Sequence, residues 1–325
     1  MSQSCQIGFD VGGTTLKAAL VSGGEILETV SATTPVEQSQ AEAILVISAL
    51  IERLKDAARR QQLELSAVGM GIAGLVDHTR GYVITAPNLP TWCDFSLAEQ
   101  LSRKVGLPVA LDNDVRTMAM GELAYGAGQG AVHMLCLTVG TGVGSAIVID
   151  GQIYRGASLT AGEFGHVTVV PAGGRTCGCG NRGCLETVAG TEGILSLAER
   201  QLERGLAPIL AQKLAENSGH LSPKLIAESA SAGDAGCIAL WQEVGHWLGL
   251  ALAGAVNFIN PERIVIGGGI AQAGSLLFDP IERAIRLHAF ERPARAVRVM
   301  PAQLGASAGM IGSAVLAQHY SQKEA

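Results

Sequence analysis

A chain of 325 residues, 48% hydrophobic and only 16% charged, can bury large cores and fill two domains, which excludes a disordered protein. A net charge of −6 without any run of Lys or Arg excludes a general nucleic-acid surface. No basic-then-apolar leader opens the chain and no uninterrupted apolar stretch is long enough to span a bilayer, so reduced thiols and a cytoplasmic setting are expected, without a membrane partner.

Gln6 to Asp10 reads as a short apolar strand, and VGGTT turns it into a second strand over Leu16 to Val21. Gly12 and Gly13 let backbone N–H groups face an anion, Thr14 adds a hydroxyl and Lys17 a charge, although an ordinary hairpin explains the same residues. The second copy favours the anion. LCLTVGTGVGSAIVIDGQIY, Leu135 to Tyr154, repeats the strand–turn–strand plan 128 residues on, aligning Gly12 with Gly140 and Gly23 with Gly151. Two such units predict a duplicated α/β domain with a nucleotide in the cleft between the halves. Neither turn is GxxxxGK[ST] or a GxGxxG that opens a helix.

Between the copies, apolar residues at Ile44, Ile47, Leu50, Ile51, Leu54 and Ala58 predict one helix over Ala41 to Gln61. A strand, AVGMGIAG, follows, then the segment GYVITAPNLPTW is expected as an irregular loop, with Asn88 either a polar ligand contact or a turn residue. After a helix near Phe95 to Val105, the strand PVALDND places Asp112, Asn113 and Asp114 at a carboxyl end before the helix VRTMAMGELAYG. Ligands of α/β sheets sit there. A helix cap accounts for one of the three, and a hydroxylated substrate better accounts for the set.

Thr160 to Thr187 gathers His166, Glu163, Glu186 and three of the seven cysteines. Cys177, Cys179 and Cys184 lie among glycines 178, 180 and 183, and His166 stands eleven residues before the first. Disulfides would leave one of three thiols unpaired, and simple burial does not explain the glycines. Three thiolates and an imidazole complete a tetrahedral zinc set with no open position, hence a structural metal. It is expected to hold Glu163, His166 and Glu186 while leaving both glycine turns independent of it. Beyond, helices are expected at Gly193 to Gly205, Lys224 to Ala232 and Cys237 to Asn260. The strand RIVIGGGI ends in Gly267, Gly268 and Gly269, where an adenine or ribose could approach backbone. A strand AVRVMPAQLG and a last helix from Ala306 close the chain.

DVGGTTLKAAL, GIAGLVD, APNLPTW, LDNDVRTMAMGE, LTVGTGVG, AGEFGH, CGCGNRGCLE, NFINPERIVIGGGI and LGASAGMIGSA, in that order, resemble the ROK family of sugar kinases within the actin-like (ribonuclease H-like) ATPase superfamily. The resemblance covers essentially the whole chain. It implies ATP- and Mg²⁺-dependent phosphorylation of a hexose at its terminal hydroxyl, by a homodimer. Asp114 would then be the general base; Gly74, Asn88, Asn113, Glu163, His166 and Glu186 would meet sugar. Asp10, Gly12, Gly13, Thr14 and Lys17 would form one phosphate site, with Asp10 near Mg²⁺. Gly140, Thr141 and Gly142 would form the other, and Gly267, Gly268 and Gly269 would face adenosine. Residues 1–116 are expected as a smaller domain on which the helix 306–325 packs back, and 117–305 as a larger one carrying the zinc insertion. The chain departs from the family at Ala73, commonly proline, and near Arg116, commonly asparagine or alanine. EFGH together with APNL and CLE resembles glucokinases, so glucose is the expected substrate ahead of N-acetylglucosamine, N-acetylmannosamine, mannose, allose and fructose. Sugar-responsive repressors of the family carry a winged helix before DxGGT, and nine residues precede Asp10 here. A non-catalytic sugar-binding regulator is the weaker alternative, because Asp114 and both turns are intact.

Overall fold

A computed structural model describes residues 4–216 and 219–324. In chain order the elements are β1 (Ser4–Val11), β2 (Thr15–Ser22), β3 (Glu25–Thr33), α1 (Gln40–Arg60), β4 (Glu64–Ile72), β5 (Leu75–Asp77), β6 (Tyr82–Thr85), α2 (Leu97–Val105), β7 (Val109–Asn113) and α3 (Asp114–Tyr125). Next come β8 (Met134–Val139), β9 (Val143–Ile149), β10 (Gln152–Tyr154), α4 (Glu186–Ala189), α5 (Thr191–Glu203), α6 (Pro208–Glu216), α7 (Pro223–Ser231) and α8 (Ala235–Ile259). β11 (Arg263–Gly267), α9 (Ser275–His288), α10 (Glu291–Ala296), β12 (Arg298–Pro301) and α11 (Ala308–Glu324) complete the chain.

One five-stranded sheet has the order β3-β2-β1-β4-β7 and the other β10-β9-β8-β11-β12. The match is position for position: in each sheet, the first, fourth and fifth strands in chain order run parallel, and the outermost pair on the other side is antiparallel. The duplication read from Leu135 to Tyr154 is therefore a duplication of topology.

Two compact units result. The first takes in the described residues up to Ala131, then Ala146–Ala161 and the chain from Ala302; the second takes Val132–Ser145 and Gly162–Pro301. A limit drawn at residue 116 runs through α3, whose packing on α11 continues along its length.

In the first unit α1 starts at a capping box, Ser39 accepting from Glu42 N while Glu42 accepts from Ser39 N. Its apolar stripe, Ile47, Leu50, Ile51 and Leu54, buries with Ile7, Phe9 and Val11, the alternate residues of β1. The opposite face is covered by α11, and at its centre two strand positions are glycines. A Cβ on Gly8 would lie 1.8 Å from Met310 O, and one on Gly69 1.8 Å from Ser313 O, so the helix backbone lies directly on β1 and β4. Ser313 fixes the depth by donating to Phe9 O at 2.6 Å.

Two stretches depart from the sequence reading. Tyr82–Thr85, at the start of the expected loop GYVITAPNLPTW, is a strand, β6, that forms a hairpin with β5, whose turn is held by Asp77 Oδ1 accepting from the N–H groups of Thr79 and Arg80. α6 was not expected at all; its first N–H groups, Ile209 and Leu210, are capped by Asp234, far along the chain.

Candidate active site

In the first unit β1 and β7 lie on either side of β4, and Asp10 and Asp114 come at or just after their carboxyl ends. The Gly12 N–H donates to Thr15 O at 3.1 Å, closing the hairpin, and Thr34 Oγ1 holds the Gly12 carbonyl at 2.7 Å. Gly13 and Asn88 are neighbours: a Cβ on Gly13 would sit 3.1 Å from Asn88 Cβ. Asp10 pairs in register with Lys17, whose charge partly offsets a pKa raised by burial.

At the end of β7 the three polar residues divide their work. Asp112 is fully buried and belongs to an ion network: its Oδ2 takes two donors of Arg155 and its Oδ1 faces Arg116 at 3.4 Å. Asn113 is the cap of α3, accepting at Oδ1 from Val115 N (3.0 Å) and Arg116 N (3.3 Å), while its Nδ2 donates to Gly74 O at 3.2 Å. That leaves Asp114. Burial, reinforced by the negative charge of Asp10, pushes its pKa up to about 6, where it is a base still ionised at neutral pH. The expectation that two carboxylates and an amide jointly face a ligand is thus narrowed to one carboxylate with an amide beside it, because an arginine 43 residues away claims the other.

In the second unit the hairpin at the end of β8 is closed one residue tighter than the first, Gly140 N donating to Gly142 O at 2.9 Å. Gly268, at φ +91, brings its backbone against the end of β8, where a Cβ would lie 2.3 Å from Val139 O; Gly267, Gly268 and Gly269 therefore flank the Gly140 turn. Gly142 in turn touches Glu186 at the start of α4, a Cβ there falling 2.7 Å from Glu186 Oε2. Glu186 Oε1 lies 2.8 Å from Cys177 Sγ and 3.6 Å from His166 Nδ1, and His166 Nε2 lies 3.9 Å from Glu163.

The expected knot is one cluster, with ligand atoms of His166, Cys177, Cys179 and Cys184 all within 4.8 Å of one another. Cys179 Sγ and Cys184 Sγ are 3.7 Å apart, far too long for a disulfide, and Cys177 Sγ is 3.5 Å from His166 Nδ1. Tetrahedral zinc, with bonds of about 2.3 Å to sulfur and about 2.0 Å to nitrogen, sets its ligands roughly 3.5–3.8 Å apart. The donor set fits that metal. Backbone bonds from Cys177 N to Asn181 O (2.8 Å) and Gly180 N to Cys177 O (3.0 Å), with bridges pairing Thr168 with Cys184 and Thr176 with Arg182, fold the segment around the same point. The Gly140 turn was expected to be independent of this knot; the contact between Gly142 and Glu186 ties it in.

The ROK family model matches residues 6–320. A glucokinase of Halalkalibacterium halodurans is 38% identical over 96% of this chain and 94% of its own, and one of Thermotoga maritima is 35% identical over 95% of each. Among solved structures, a ROK family glucokinase from Streptomyces griseus in complex with glucose and AMPPNP superimposes with a TM-score of 0.79 at 35% identity, covering 97% of this chain and 100% of that one.

Proposed function

The chain belongs to the ROK family, and from that premise we propose that it is an ATP-dependent hexose kinase that phosphorylates the 6-hydroxyl of glucose. The observation that carries the chemistry is Asp114: a carboxylate after a β-strand end, on the first turn of a capped helix, with a pKa of about 6. In this reading Asp114 accepts the proton of the sugar hydroxyl as that oxygen bonds to the γ-phosphorus. The bond from γ-phosphorus to the β,γ-bridging oxygen breaks, and ADP leaves with its electron pair.

The remaining groups bind and orient. Gly74, Asn88 and Asn113 in the first unit, and Glu163, His166 and Glu186 in the second, meet sugar hydroxyls. Gly12, Gly13, Thr14 and Lys17, and separately Gly140, Thr141 and Gly142, hold phosphates through backbone N–H, hydroxyl and ammonium donors. Gly267, Gly268 and Gly269 border adenosine. Asp10 fits a Mg²⁺ held by one carboxylate and phosphate oxygens, which when bound neutralises the developing phosphate charge. Zinc held by His166 Nδ1 and the three cysteines would be structural, leaving Nε2 of the same ring for sugar. A reducing, cytoplasmic setting would keep those thiols available, and a homodimer is the assembly this reading carries.

Coupled ADP release over a hexose panel tests the proposal. Turnover is expected with glucose above N-acetylglucosamine, N-acetylmannosamine, mannose, allose and fructose. Best turnover with another hexose removes glucose and keeps the class; ADP release with none removes both.

A further inference from the structure

Arg116 is a buried cation, and nothing in the proposed chemistry uses it. Its partners say what it holds. Asp112 is already neutralised by the two-pronged contact of Arg155, whose third donor goes to Ile153 O at 3.3 Å. Arg116 meets that carboxylate only at 3.4 Å, whereas its other nitrogen donates to Leu159 O at 2.7 Å and Ala161 O at 3.2 Å. Its shortest bond is therefore to the chain between β10 and the Thr160 to Thr187 segment.

That chain is held in an unfavourable shape. Leu159 has φ +64, in the left-handed region that a branched side chain avoids, at a cost on the order of 1–3 kcal/mol unless the surroundings impose it. Three bonds impose it here: Arg116 on the carbonyls of Leu159 and Ala161, and Ala161 N on Arg155 O at 3.0 Å. The other end of the same loop is Arg155, clamped to Asp112. One residue past Ala161, the Gly162 carbonyl is taken by Ser145 Oγ at 2.8 Å, and Glu163 follows directly. The backbone N–H of Arg116 also rests on Asn113 Oδ1, next to Asp114.

We propose that Arg116 is a positioning residue for sugar binding: it ties the strand end that precedes Asp114 to the Leu159–Ala161 segment, which leads through Gly162 to Glu163. The proposal rests on the hexose-kinase reading of Glu163. Methionine at position 116 keeps the volume and leaves Asp112 and Arg155 as a balanced pair, so the fold should survive. Lysine keeps the charge but, as a single ammonium, cannot serve two carbonyls and a carboxylate in the geometry of a planar fork.

The experiment is steady-state kinetics of Arg116→Met and Arg116→Lys with glucose and ATP varied separately, together with calorimetric glucose titration in the absence of nucleotide and thermal unfolding. Both variants are expected to raise the glucose KM and Kd about 10-fold or more, the scale of displaced ligand contacts, while kcat and the ATP KM move by less than about threefold. An unchanged glucose KM in either folded variant overturns the proposal. So does a loss spread evenly over glucose KM, ATP KM and kcat, which is the signature of general structural damage. Should the methionine variant not fold, the lysine variant decides alone. A wild-type protein that phosphorylates no hexose would instead bring down the kinase reading, before any variant is compared.

Discussion

At the end of β1 stands Asp10, with Lys17 opposite it on β2; at the corresponding places 128 residues later stand Thr138 and Ser145. The hairpins beside them are each closed by a glycine N–H, Gly12 N on Thr15 O and, one residue tighter, Gly140 N on Gly142 O, and the sheets share one strand order. What was duplicated is backbone geometry: a strand end, a tight turn, and N–H groups available to an anion. The titratable groups were not. The first unit keeps Asp10 and Asp114: burial raises both pKa values, and the charge of Asp10 adds to the rise at Asp114. The second has Ser145 holding the Gly162 carbonyl instead of a lysine, and gathers Glu163, His166 and Glu186 around a metal-compatible knot. In the proposed reaction the proton acceptor belongs to the first unit, and the ionisable groups that meet sugar belong to the second. Substitutions in the two should therefore fail differently.

The largest effect is expected at Asp114. Asp114→Asn should lower kcat by about 10²-fold or more, the usual scale for a lost general base. Because Asn113 caps α3, helix capping is untouched, and stability should rise rather than fall. The sign follows from the raised folded-state pKa: an ionised Asp114 opposes folding above about pH 6, and below the unfolded value of about 4 both states are protonated. The variant's stability advantage is thus greatest above pH 6, up to about 3 kcal/mol, and fades toward pH 4. In the wild type, kcat/KM should drop about tenfold per pH unit below pH 6. Equal kcat, or a variant less stable at pH 8, would break the division of labour between the units.

Breaking the knot should act on binding. Cys179→Ser, at the exposed cysteine of the cluster, should lower zinc content and raise the glucose KM by roughly 10–100-fold, with some loss of stability because structural zinc contributes to folding. The contact between Gly142 and Glu186 sharpens the expectation for nucleotide: its affinity should fall too, but by only a few-fold, since one of two phosphate turns is disturbed. Metal analysis and separate glucose and ATP titrations read this out. A native protein without zinc, or sugar and nucleotide weakened alike in a folded variant, would sink it.

Local signals made much of this readable. The 3.6-residue period of α1, the glycine turns and the CGCGNRGC spacing each involve residues close in the chain, the 128-residue repeat compares two such local patterns, and each corresponds to an element, sheet or cluster of the structure. What escaped depends on distant partners. Asp112 reads as a ligand-facing carboxylate until Arg155 is seen on it, and α6 owes its start to Asp234. Gly8 and Gly69 give no sign in the sequence that α11, some 300 and 240 residues on, rests its backbone against them. The hairpin β5–β6 was obscured by its length: a three-residue strand carries too little alternation to register.

The smallest effect concerns Asn113, where cap and ligand roles can be separated. Its Oδ1 serves the N–H groups of Val115 and Arg116, and its Nδ2 serves Gly74 O. Asn113→Ala removes both and should cost about 1 kcal/mol by chemical denaturation, the ordinary value of a helix cap. Asn113→Asp keeps two acceptor oxygens at a helix N-terminus, which favours negative charge, so the cap survives. It loses the amide donor and sets another carboxylate beside Asp114, which should push the acidic limb of kcat/KM to higher pH. If the amide also donates to sugar, the aspartate variant will show a raised glucose KM at near-normal stability. If Asn113 is a cap alone, the alanine variant loses stability, the aspartate variant shifts only the pH profile, and the glucose KM of both stays within about twofold of the wild type.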